Sequence, residues 1–175
     1  MIGAVFRTAV FCAVAVFTAL WSVPPSFAGE AVTVTASSIT RFKGAAVGER
    51  VDELIFRGGL VLRADHPDFG GLSGLTFLDH QRFVMVTDEG RFVSGQLDLD
   101  NGTPSGLSDV QITSILNSAG TPLPNRFSAD AEAVETIFRA GAPAAVRVGF
   151  ENLTRVADFE LVDGRPSGPA RPVEI

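Results

Sequence analysis

Val84-Met85-Val86-Thr87-Asp88-Glu89 and Val146-Arg147-Val148-Gly149-Phe150-Glu151 stand 62 residues apart and share three residues at the same spacing. Laid over one another without gaps, residues 68–106 and 130–168 carry nine identities in 39 positions. The count is modest, but the placement is ordered. Asp68 falls on Asp130 ahead of a first apolar run, and Val84 and Val86 fall on Val146 and Val148 inside a second. Leu99 falls on Leu161 in a third, and Gly102 with Pro104-Ser105-Gly106 falls on Gly164 with Pro166-Ser167-Gly168 beyond it. A repeated unit of several short apolar runs is a module that buries its faces by stacking on copies of itself.

Each unit divides into four strands, over 72–78, 82–87, 91–99 and 107–115, then 133–138, 145–150, 154–161 and 170–175. Gly, Asp, Asn or Pro separates most of them, and long 3.6-residue periodicity is absent. Residues 129–139 read as a short helix or as a strand equally well. Four antiparallel strands per unit make a blade, so the expected fold is all-β, a β-propeller of four-stranded antiparallel blades. Apolar runs over 32–42 and 54–62 supply part of a further blade. Two units fall short of the roughly four to eight of a closed ring, and Ile175 lies where the last strand is still running. The expectation is therefore the first part of a longer protein. The alternative is a complete small β-sandwich of two similar halves.

Ahead of the repeat, Arg7 precedes an almost unbroken apolar run from Thr8 to Val23; Pro24-Pro25 then breaks any helix, and Ser26-Phe27-Ala28 offers small residues where a signal peptidase reads. The run is shorter than the ~20 residues of a spanning helix. Residues 1–28 are expected to be a cleaved secretory signal and 29–175 the exported domain, periplasmic or extracellular. Cys12 and Trp21 leave with the signal, and Arg7 is the only charge lost, so the net charge moves from −6 to −7. A chain without disulfides must hold itself by packing, ladder hydrogen bonds or a bound metal. Its acidic surface, with Lys43 the single lysine, excludes nucleic acid and anionic membranes as expected partners.

Acids gather at strand ends. Asp88-Glu89-Gly90 follows the strand 82–87, Asp130-Ala131-Glu132 precedes the next unit, and Glu151 is the repeat partner of Glu89. Paired carboxylates beside a permissive glycine suit a hard cation that takes several oxygen ligands, and equivalent positions of successive blades converge on one face. Taken singly, each acid reads more readily as a solvated turn residue, and the repeat raises Glu89 and Glu151 above the others. Arg91 directly follows the acidic pair and suits an anionic group beside a metal, or a salt bridge to Asp88 or Glu89. Ser73 lacks the later glycine of a nucleophile elbow, since Leu75 stands there; the glycines around it suit close strand packing. His66 and His80, both beside loop residues and expected to be exposed, have no third ligand at a zinc-type spacing.

Phe69-Gly70-Gly71-Leu72-Ser73-Gly74-Leu75, Thr87-Asp88-Glu89-Gly90-Arg91-Phe92, Asp130-Ala131-Glu132-Ala133 and Phe150-Glu151 together resemble the bacterial phytase-like family, described as esterase-like activity of phytase. The resemblance covers roughly residues 50–175. It implies an exported β-propeller grouped with enzymes that cleave phosphate esters using calcium held by acidic loops. Asp88, Glu89, Asp130, Glu132 and Glu151 become the matched metal positions, and Arg91 the matched substrate-binding one. The chain departs from the pattern at Ala133, where glycine is common, and at Leu153-Thr154, where His-Arg is common; Arg155 is the nearest displaced base. The implied function is calcium-assisted hydrolysis of a small phosphorylated substrate. The competing expectations are a non-catalytic propeller that binds a ligand or an exported protein partner, and an inactive fragment.

Overall fold

The structure, a computed structural model, describes residues 29–152 and 155–174. The expected signal, residues 1–28, and the departure at 153–154 lie outside the described residues. The leading segment forms β1 (Glu30–Ala31), β2 (Val34–Ile39), β3 (Arg41–Phe42), β4 (Ala45–Ala46), β5 (Arg50–Val51), β6 (Leu54–Ile55) and β7 (Gly59–Ala64). The first repeat unit forms β8 (Leu72–Phe77), β9 (Arg82–Thr87), β10 (Arg91–Asp100) and β11 (Thr103–Ser114). A single turn of helix, α1 (Arg126–Ala129), leads into β12 (Ala131–Arg139), β13 (Ala142–Phe150), β14 (Arg155–Val162), β15 (Arg165–Pro166) and β16 (Arg171–Val173). The segment that read both ways from sequence is thus a strand behind one helical turn.

Each unit is an antiparallel meander. The first sheet runs β8, β9, β10, β11, with β1 added on the outer edge of β11. The second runs β12, β13, β14, with β15 pairing the end of β14 and β16 its start. Alternation places Val84, Val86 and Phe92 of the first sheet against Val146, Val148, Ala157 and Phe159 of the second in one buried cluster. Phe92 and Phe159 meet edge-on, with ring centroids 5.1 Å apart. The opposite face of the first sheet buries Phe83, Val93, Val110 and Ile112 beneath Val32 and Val34, and β2 pairs with β7 in a ribbon beside it. These are two adjacent blades of an all-β propeller. The described residues do not close the ring.

Where the blades touch, the first strands β8 and β12 lie side by side. A Cβ at Gly74 would stand 3.1 Å from the Val134 amide and 3.0 Å from Val86, so only a residue without a side chain lets the strands approach this closely. The hydroxyl of Thr136 donates to the Phe77 carbonyl at 2.9 Å, which leaves its lone pair to accept from Thr76 at 3.0 Å. Ser73 Oγ lies within hydrogen-bond reach of the Ala131 carbonyl and 3.3 Å from that of Val86. Its hydroxyl is used in the seam.

The 62-residue overlay holds in the second strands and shifts elsewhere. Val84 pairs with Thr76 as Val146 pairs with Thr136, so the first strands correspond at 60 residues. Val84 pairs on its other side with Ser94, and Val146 with Phe159, so the third strands correspond at 65. The hairpins of the second blade are longer. Asp68 with Asp130 and Leu99 with Leu161 are therefore not structural equivalents, although they match in sequence.

Candidate metal centre

The turns at 88–90 and 151–152, the start of β12 and the start of β8 all lie at one end of the two sheets. In the second blade the ladder runs to Ala131 opposite Phe150, and one step further Glu151 N–H donates to the Asp130 carbonyl at 3.0 Å. Asp130 and Glu151 are thus neighbours across the strand pair just past its last rung. The register slips between Ala131 and Ala133; Glu132 is the extra residue of this bulge, which re-aims a side chain that regular pleating would fix. One carboxylate oxygen from each of Asp130, Glu132 and Glu151 lies within 4.8 Å of the other two. Like charges held this close repel, and Glu132 and Glu151 stay exposed. Asn152 steadies the group by donating its amide to Asp130 Oδ2 at 2.6 Å. Three convergent carboxylate oxygens, open to solvent on one side, fit a hard divalent cation that completes its shell with water or a substrate oxygen.

In the first blade, Asp88 N–H donates to the Gly71 carbonyl at 3.0 Å. Asp88, one residue before Glu89, therefore holds the backbone place that Glu151 holds in the second blade, and Gly71 the place of Asp130. Gly71 has φ +55°, and a methyl group there would overlap the Asp88 carboxylate, so this glycine makes room for the acid to fold back over the strand end. Thr87, fully buried, accepts with its hydroxyl from the amides of Glu89 (3.3 Å) and Arg91 (3.1 Å) and shapes the turn. Asp88 is ion-paired with Arg126 Nη2 at 2.5 Å. Asp88 and Glu89 lie outside the group of three. Both act electrostatically, with Asp130, on Arg126, whose guanidinium is held above its usual value first by the Asp88 hydrogen bond.

Arg91 lies elsewhere. Its Nε donates to Asp68 at 2.9 Å, not to Asp88 or Glu89. It lines a cleft of about 240 Å³ with Glu30, His66 and Asp68, and none of the three clustered acids contributes to that cleft. His66 is not exposed: its side chain is 12% accessible, Nδ1 accepts from the Asp68 amide at 3.1 Å, and Nε2 faces Glu30 at 3.3 Å. Asp68 and His66 thereby clamp β1 and β10 together. Arg155 is likewise committed. It stacks 4.0 Å from the Phe150 ring centroid and donates to the Ser128 carbonyl at 2.5 Å, and burial pulls its guanidinium below the usual value.

Arg126 and Asn152 were not candidates in the sequence. Arg126 opens the single helical turn α1 before β12, which Asn125 caps by accepting from the Ser128 amide at 2.9 Å. Only the fold carries it back across 38 residues to Asp88. No curated protein and no solved structure matches the chain significantly. The family model Phytase-like, described as esterase-like activity of phytase, matches residues 67–174. That match takes in both blades and all five acids of the strand ends, and it spans well over half of the sequence. The chain belongs to the phytase-like family, whose description is a hydrolytic one.

Proposed function

We propose that the protein is an exported, calcium-assisted phosphoester hydrolase acting on a small phosphorylated substrate. The convergence of Asp130, Glu132 and Glu151 at one end of the blades, in a chain of this family, carries the reading. A protein of net charge −6 repels a phosphate ester at long range, and three clustered carboxylates repel it more strongly at short range. A bound calcium would offset most of that local charge, polarise the phosphoryl oxygens and acidify a coordinated water. The chain's own residues perform the rest. Asn152 keeps Asp130 oriented, the bulge keeps Glu132 beside it, and the ladder step fixes Glu151. Glu89, at the tip of the neighbouring turn, adds charge without joining the cluster. Ser73 offers no nucleophile, because its hydroxyl is directed at main-chain carbonyls within the seam.

Calcium is expected to raise the melting temperature of the purified protein, and Glu132→Gln with Glu151→Gln to remove most of the rise. The same double variant should lose calcium-dependent release of phosphate from a generic phosphomonoester. An equal calcium response in the double variant and the parent would refute the site. A calcium response without turnover would favour a binding propeller over an enzyme.

A further inference from the structure

A phosphate ester at this centre needs a cationic group as well as a metal, and the arrangement of the arginines singles one out. Arg155 is stacked on Phe150 and tied to a main-chain carbonyl. Arg91 is paired with Asp68 in a separate cleft. Arg82, Arg139, Arg147, Arg165 and Arg171 are paired with acids outside the cluster. Among the described arginines of the two blades, Arg126 alone is paired at the acidic end and keeps donors to spare. Its side chain is 69% accessible, and its one side-chain hydrogen bond is the contact from Nη2 to Asp88. Nε and Nη1 have no partner among the described residues. Its backbone is set by the capped turn α1, only four residues before Asp130. The side chain can therefore swing while its base stays fixed beside the carboxylates.

Resting on the cation-binding reading above, we propose that Arg126 is the anion-binding residue of this centre and an exchangeable counter-ion, latched on Asp88 until the carboxylates take up a cation and then free to grip a phosphoryl group. A guanidinium is suited to the task, since its planar fork offers parallel donors to two phosphoryl oxygens. While latched, it neutralises part of the acidic field and competes with the incoming cation. When the cation arrives, the two positive charges repel, which favours release of the arginine toward an anion on the open side. The exchange is non-covalent, and no bond or proton changes hands.

The probes are calcium and inorganic phosphate, each titrated calorimetrically into the purified protein, with phosphate measured at saturating calcium. Arg126→Gln should bind calcium several-fold more tightly, because a competing cation is gone, and phosphate roughly tenfold or more weakly, because charge-assisted hydrogen bonds are lost. Arg126→Lys, which keeps the charge but not the fork, should keep near-parental calcium affinity and recover only part of the phosphate affinity. Arg139→Gln, on the far face of the second blade, should change neither. If Arg126→Gln binds calcium and phosphate as the parent does, the inference is wrong while the calcium site stands. If the parent itself binds no calcium, the site and the exchange fall together.

Discussion

Asp79, in the turn between β8 and β9, accepts from the amides of Gln81 (2.9 Å) and Arg82 (2.7 Å) and from the Arg82 guanidinium (2.7 Å). The two backbone bonds, more than the ion pair, pull its carboxyl from 3.8 down to about 2. A depressed acid stabilises the fold above its unfolded value and stops doing so as the pH falls through its folded value. The contribution of this turn is therefore present above pH about 4 and lost by pH about 2. Asp79→Asn should lower the stability at neutral pH by about 1 kcal/mol or less for so exposed a group, seen as a lower melting temperature. The difference from the parent should shrink below pH 4, and a gap independent of pH in thermal melts would contradict it. Gly71 is a second test at this scale. Gly71→Ala combines a positive φ with overlap on Asp88, so it should destabilise the fold and weaken the Asp88–Arg126 latch together. What the sequence could not disclose lies at this scale too. Asp88, Glu89, Asp130, Glu132 and Glu151 were legible because carboxylates at strand ends are a local pattern. Their division into a cluster of three and a flanking pair was not, because it depends on a bulge at Glu132 and on one extra ladder step. The partners of Arg91 and Arg126 were equally hidden, since each lies more than 20 residues away in the chain.

The strands themselves were readable wherever apolar residues ran between turn residues. β9 and β10 fall at or within one residue of their expected bounds, because Asp88-Glu89-Gly90 punctuates them. β11 and β13 begin earlier than expected, at Thr103 and Ala142. Their first residues are small or polar, and only the partner strand recruits them. Hairpin lengths were not readable either, which is why an ungapped overlay aligned the second strands and misplaced the third. The seam between β8 and β12 makes a sharp prediction. Gly74→Val would force the strands apart against the Val134 backbone and should cost about 1–3 kcal/mol as an overpacked contact, measured by urea unfolding. An unaffected midpoint would mean that the strands do not meet as described.

At the scale of the molecule, the two blades share one buried cluster instead of holding one each. Phe159 is fully buried in the second blade and touches Phe92 of the first. Phe159→Ala should cost about 3–5 kcal/mol. Its effect should cross the interface, lowering amide-exchange protection in β9 and β10 as well as in β13 and β14. Loss confined to the second blade would show that the blades unfold separately. The far face of the second blade is different in kind. Arg147 grips Asp158 with two bonds, and Glu160 accepts from both Arg139 and Arg171. The arginines that meet Glu160 stand in solvent and contribute little to stability, while the two-pronged Arg147–Asp158 pair is half-buried and less screened, so high salt should shift the melting temperature only slightly.

Thr76 and Thr136 occupy the same place in their respective sheets, and they meet each other. A hydroxyl both donates and accepts, so one residue at one position serves either side of the contact. Tandem duplication of the gene segment for one blade would therefore deliver a working joint at once, with no compensating mutation in the older copy. Divergence could then lengthen the hairpins and scatter the acids while the join between neighbours kept its original chemistry.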